Sequence, residues 1–262
     1  MKTIRIAVFV AAFTIAWASS AKAGRSCEEK PLSVATLESG LNLAQRTAHA
    51  LDASGARAVV LARAGQNLSR HGLAWSHVAL AYRDAVSGHW RVVHKLNHCG
   101  TAHADVYRQG LGEFFIDDPW RYEAAFVALK PAWQDRVRDL LADDARATRL
   151  HTRAYNLVAY PWAQRYQQSN QWAIETLALA IDPAASTRAR AQAWLQLRDY
   201  QPTTLRIDAF ERLAARIGTA NVAFDDHPNR RRFTDRIDTV TADSVLAWLQ
   251  RSGLGEPLQV VR

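Results

Sequence analysis

The chain has 262 residues, 48% hydrophobic and 22% charged, with a formal net charge of +8. That length gives ample material for a packed core in one large domain or two small ones. The basic surplus is mixed with acid, since Asn229-Arg230-Arg231-Arg232 is flanked by Asp225, Asp226 and Asp235, and the nine tryptophans are scattered, so a nucleic-acid-binding stripe is excluded.

Residues 1–23 read as a processing signal. Lys2 and Arg5 make a basic start, Ile6 to Ala18 is apolar except for Thr14, and Ala21-Lys22-Ala23 offers an A-x-A cleavage site. The run is short for a bilayer span. Cys27 lies past Gly24-Arg25-Ser26, too late for a lipid-anchor cysteine. The expectation is a periplasmic or secreted protein, cleaved after Ala23, with residues 24–262 as one domain and no transmembrane segment after cleavage. Losing Lys2, Arg5 and Lys22 and no acid brings the charge to +5, a mildly basic solvated surface or one suited to an anionic envelope polymer. The two cysteines, Cys27 and Cys99, suggest one disulfide in an oxidising compartment. Closing that loop would contribute about 4 kcal/mol.

Residues 33–53 carry Val34, Leu37, Leu41, Ala44, Ala48 and Leu51 at helical spacing, with Gly55 as a stop. The run 58–62 reads as a buried strand. Two more strands, 77–83 and 90–96, flank a Ser87-Gly88 hairpin signal. After Gly100 the pattern becomes helical. Asp117-Asp118-Pro119 reads as a turn and helix start, and helices are expected over 131–147, 169–181, 186–197, 203–217 and 241–251. Residues 219–240 read as a long surface loop. The fold class that fits is α+β, a small antiparallel sheet packed with a helical majority.

Three residues could make a catalytic constellation. His77 opens one hairpin strand and His94 lies late on its partner. Paired positions across an even-numbered loop add to an odd number, and these two add to 171, so an even loop puts both rings on one face. An odd loop or a bulge separates them. Ser169 opens the helix 169–181, where the macrodipole and unpaired N–H groups favour a nucleophile and an oxyanion. His77 would serve as base and His94 would orient it. Gln168 and Asn170, with Tyr155 or Tyr166, could line the substrate or oxyanion position. The bland readings stand beside these: Ser169 as an ordinary N-cap, His77 bonded to a loop, the tyrosines as packing aromatics. Asn97 or His98 would take the orienting role in a different register.

The string SHVALAY…WRVVH resembles the histidine hairpin of the NlpC-type papain-like peptidases. The nucleophile helix here follows the hairpin, which is similar to the circularly permuted branch related to lecithin–retinol acyltransferases. Beyond the hairpin, RAGQNLSRHGLAWSHVAL, VVHKLNHCG, QGLGEFFIDDP and YNLVAYPWAQRYQQSNQW resemble the bacterial exported domain-of-unknown-function family 2145 over roughly residues 25–250. The resemblance implies a papain-like core, an envelope location and no cofactor. The family resemblance carries no established substrate; together with the expected compartment it suggests an amide or ester hydrolase or acyltransferase with cell-wall peptide or another envelope component as the natural substrate class. The branch carries a cysteine where Ser169 stands, and a hydroxyl needs base abstraction that a thiolate does not. A catalytically silent binding module is the competing expectation.

Cys99 is a rival nucleophile or, with His94, His98 and His103, a rival metal ligand. The disulfide reading competes with both. The segment runs from a strand into a glycine turn and does not present one helical face, so no metal is expected.

Overall fold

The computed structural model describes residues 31–262 apart from residue 118, with the backbone alone at 217 and 218. The predicted signal segment and Cys27 lie outside the described residues.

Helix α1 (Val34–Ala53) starts where serine chemistry directs it, with Ser33 Oγ accepting from Thr36 N. Its buried stripe differs from the predicted one. Gly40, Leu43, Ala44, Thr47 and Leu51 face inward, while Val34, Leu37 and Leu41 are exposed. The cause is a short helix that the sequence pattern did not reveal, α2 (Leu111–Phe115). It approaches so closely that a Cβ on Gly40 would sit 2.9 Å from the Phe115 carbonyl oxygen.

Strands β1 (Ala58–Arg63), β2 (His77–Arg83) and β3 (Trp90–Asn97) form as expected. The chain does not turn wholly helical after Gly100. Strands β4 (Ala104–Gly110) and β5 (Ala124–Ala128) follow, and β8 (Gln259–Val261) closes the chain. Together they make a six-stranded antiparallel sheet in the order β4-β3-β2-β1-β5-β8. No helix begins at Asp117; the next element after α2 is β5. The expected helix 131–147 is interrupted, because Asp143 leaves helical geometry and caps a second short helix. The pieces are α3 (Pro131–Ala142) and α4 (Asp144–Ala147).

Helix α5 (Ser169–Ile181) forms over the predicted residues, and all thirteen are buried. Helix α6 (Arg188–Leu197) is capped by Thr187. The predicted helix 203–217 splits into strand β6 (Thr203–Arg206) and helix α7 (Ala209–Gly218), started by the Asp208 carboxylate accepting from Glu211 N. The expected loop 219–240 contains helix α8 (Asn229–Arg232) and strand β7 (Arg236–Thr239). Strand β7 pairs with β6 in a second, two-stranded sheet. Helix α9 (Ala242–Arg251) matches its prediction, with Thr241 and Ser244 forming a reciprocal cap.

Pleating divides the main sheet into two apolar faces. Val60, Val78, Leu80, Val93 and Val127 pack with α3, α5, α6 and α9, while Val59, Leu61, Ala79, Ala81, Val92 and Phe126 pack with α1 and α2. Both faces of an antiparallel sheet are thus covered by helices. The fold is a mixed α+β one with a helical majority. Among the described residues no helix is long and apolar enough to cross a membrane.

Candidate active site

The hairpin closes on the pair Arg83↔Trp90, leaving a six-residue loop between them. The loop is even, and His77 and His94 accordingly share a face. They meet directly, His77 Nε2 to His94 Nδ1 at 3.0 Å. The other nitrogen of His94 reaches Gln109 Oε1 on β4 at 2.8 Å. Gln109 opposes Val92 on β3, two residues from His94 and therefore on the same face.

These contacts order the protons along the file. An amide oxygen only accepts, so His94 carries its proton on Nε2 and turns a lone pair from Nδ1 toward His77. His77 must then donate from Nε2, which leaves the lone pair of a neutral imidazole on Nδ1. Both rings are held neutral. Burial pushes His77 well below the ordinary histidine range, helped by the charge of Arg63 and by the repulsion that a protonated His94 would exert. Burial, then Arg63, takes His94 down to about 4. Phe114 closes over the pair, its centroid 6.0 Å from that of His77 and 5.2 Å from that of His94. Arg63 lies 4.8 Å above the same ring and is paired with Asp117 at 2.8 Å.

Ser169 is the first residue of α5 but is not its cap. Gln168 takes that position, its Oε1 accepting from Asn170 N at 2.9 Å while its amide donates to Val240 O. The serine is 6% exposed. Burial raises the pKa of the neighbouring Tyr155 phenol, and the polar groups of Ser169 beside it oppose the rise. Asn170 fastens this helix start to the sheet, with Oδ1 accepting from Val78 N at 2.9 Å and Nδ2 donating to Val240 O at 3.4 Å. The residue after Ser169 thus bonds the residue after His77.

His77 and His94 are hydrogen-bonded to each other, Ser169 lies beside Tyr155, and no hydrogen bond joins Ser169 to either histidine. Alternation along β2 explains why. Val78 and Leu80 face α5, whereas His77 and Ala79 face Phe114. Ser169 and His77 therefore lie to either side of the start of β2 rather than on one open face. Of the other predicted residues, Tyr166 stacks under Arg165 at 5.0 Å, beside Asp225. Gln168 and Asn170 have both ends of their amides occupied by backbone.

The remaining amides of this stretch serve the interior. Glu175 is fully buried and paired with Arg188 at 2.8 Å, and it also accepts from Gln167, Gln171 and Gln192. Gln167 in turn accepts from Lys95 at 3.0 Å, and the Lys95 ammonium also donates to the carbonyls of Thr152 and Gln167. Burial, then Arg188, lowers the Lys95 pKa to about 7.

The alternative ligands disperse. His98 pairs with Asp105 at 2.9 Å, and Asn97 donates to Thr101 O and His103 O. No free cysteine occurs among the described residues, and Cys99 sits in the turn before Gly100, whose φ is 71°. Two surface concavities lie elsewhere, about 570 Å³ beside Arg108 and Asp144 and about 360 Å³ beside Trp162 and Arg231.

Sequence reasoning missed Gln109, because β4 was not recognised and the residue had no face. The pair Val106-Tyr107 within a polar run was the available signal. Phe114 was missed with α2.

A family model described as uncharacterized protein conserved in bacteria (DUF2145) matches residues 50–249. The chain belongs to the DUF2145 family. No curated protein and no solved structure matches this DUF2145 chain significantly.

Proposed function

We propose that this chain is an exported, papain-like scaffold of permuted order that carries out acyl transfer or hydrolysis on an envelope amide or ester such as cell-wall peptide. The observation behind this reading is the file His77–His94–Gln109, whose proton order leaves a basic lone pair on His77. That residue adjoins Val78, the strand position to which Asn170 ties the start of α5. Once the Ser169 hydroxyl and the His77 ring are brought within reach around the start of β2, Ser169 Oγ would attack the carbonyl as its proton passes to His77 Nδ1, with the Tyr155 hydroxyl donating to the oxyanion. Collapse would break the carbonyl–leaving-group bond, the leaving group taking the proton from His77. Water or a second amine would then release the acyl group. Export through residues 1–23 and a Cys27–Cys99 disulfide belong to the same proposal.

A second reading has its own support. Ser169 is buried without a hydrogen bond to either histidine, and His77 is a weak base for an alcohol. A binding module that has lost its chemistry would look the same. One substitution separates them. Ser169→Cys, with labelling by a thiol-directed electrophile mapped to residue 169, gains reactivity in a site organised for catalysis, and adding His77→Ala removes it. A folded Ser169→Cys protein without labelling at 169 refutes the enzyme reading and leaves the binding module.

A further inference from the structure

Helix α7 buries an arginine and exposes two large apolar side chains. Arg212 points into the protein at 9% exposure, with its guanidinium 5.0 Å from the Phe224 ring and donating to Arg232 O. Phe210 and Leu213 lie on the opposite side of the helix, 79% and 57% exposed. The same bond from Arg212 draws α8 alongside, and Phe233, which follows it, is 78% exposed. An amphipathic helix ordinarily buries its apolar stripe. Phe210 and Leu213 on α7 and Phe233 at the end of α8 are exposed large apolar side chains on two elements that the Arg212–Arg232 bond holds together, a docking feature rather than scattered surface residues.

The charge around them selects the occupant. Arg216, Arg230 and Arg232 are exposed and make no ion pair among the described residues, whereas Arg206 and Arg231 are held by Asp235 and Asp238. A second copy would bring the same unpaired arginines together. An acidic soluble partner would use a concavity, and of the three arginines only Arg230 lines the one of about 360 Å³ beside Trp162. We propose that this end of the molecule docks on an anionic lipid bilayer, with Phe210, Leu213 and Phe233 entering the headgroup boundary and the three arginines resting on lipid phosphates.

Vesicle co-sedimentation of the full chain tests it, using phosphatidylcholine alone and phosphatidylcholine mixed with phosphatidylglycerol. The protein should pellet with the anionic vesicles and stay in solution with the neutral ones, and high salt should release it. Phe210→Ser with Phe233→Ser, and separately Arg230→Ser with Arg232→Ser, should each weaken binding about tenfold or more. All four side chains are exposed, so circular dichroism should be unchanged. No pelleting with anionic vesicles, equal pelleting with both, or variants that bind like the parent would each overturn the proposal. A lipid-free dimer abolished by the phenylalanine changes would overturn it in favour of self-association.

Discussion

Acidification should strain this protein at one identifiable place. His94 is 1% exposed and bonded on both nitrogens in its neutral form, under Phe114 and near Arg63. Its folded pKa is about 4 against 6.5 for the ordinary ring. Between those values the unfolded chain takes up a proton that the folded chain refuses, so stability falls as pH falls. It is complete above 6.5, declines through the window, and levels off below about 4. At roughly 1.4 kcal/mol per pH unit the loss from this ring is about 3 kcal/mol. His77 adds to the loss in the same direction. The assay is urea unfolding, followed by tryptophan fluorescence, of the wild type and of His94→Gln at pH values spanning the window. The amide keeps a polar partner for His77 but cannot titrate. Exposed carboxylates act on both proteins alike and cancel in the difference. The wild-type curve should be steeper by about 3 kcal/mol, and parallel curves would refute the reasoning.

Other perturbations test the supports of the site. Arg188→Leu leaves the Glu175 carboxylate buried without its cation and should cost about 3 kcal/mol or more, read as a fall in Tm. Gln168→Ala removes the cap of α5 and should cost about 1 kcal/mol. Gly40→Ala sets a methyl against the backbone of Phe115 and Ile116 and should cost about 1 to 3 kcal/mol. It should also displace α2, seen as faster amide exchange there. Thiol labelling of denatured, unreduced protein should find neither Cys27 nor Cys99, and a labelled cysteine would exclude their pairing.

What the sequence disclosed follows periodicity. Helix α5 and the hairpin β2–β3 were legible because apolar runs with clear stops mark them, and the parity of the loop decided the faces of His77 and His94. Strand β4 was hidden because an edge strand keeps few apolar residues, and β5 because its alanine-rich run is equally at home in a helix. The boundary at Asp208 was present as an acidic cap with Glu211 three residues on, yet the helical spacing of Leu205 with later residues masked it. The cap falls on Gln168, one residue before the serine, because Val240 O holds its amide nitrogen and turns Oε1 to Asn170 N. Local propensity could not show that tertiary partner.

The complete burial of α5 also constrains the order of assembly. Five of the six strands of the main sheet are made before residue 130, while α5, the fully buried helix over one of its faces, lies at 169–181. During synthesis from the N-terminus, α3 reaches that valine- and leucine-rich face at once, but α5 follows the fifth strand only some forty residues later. The intermediate with this face half covered is the species most exposed to aggregation. Chains truncated just before Ser169 should be insoluble, and a chaperone that shields sheet faces should raise the yield of the full chain.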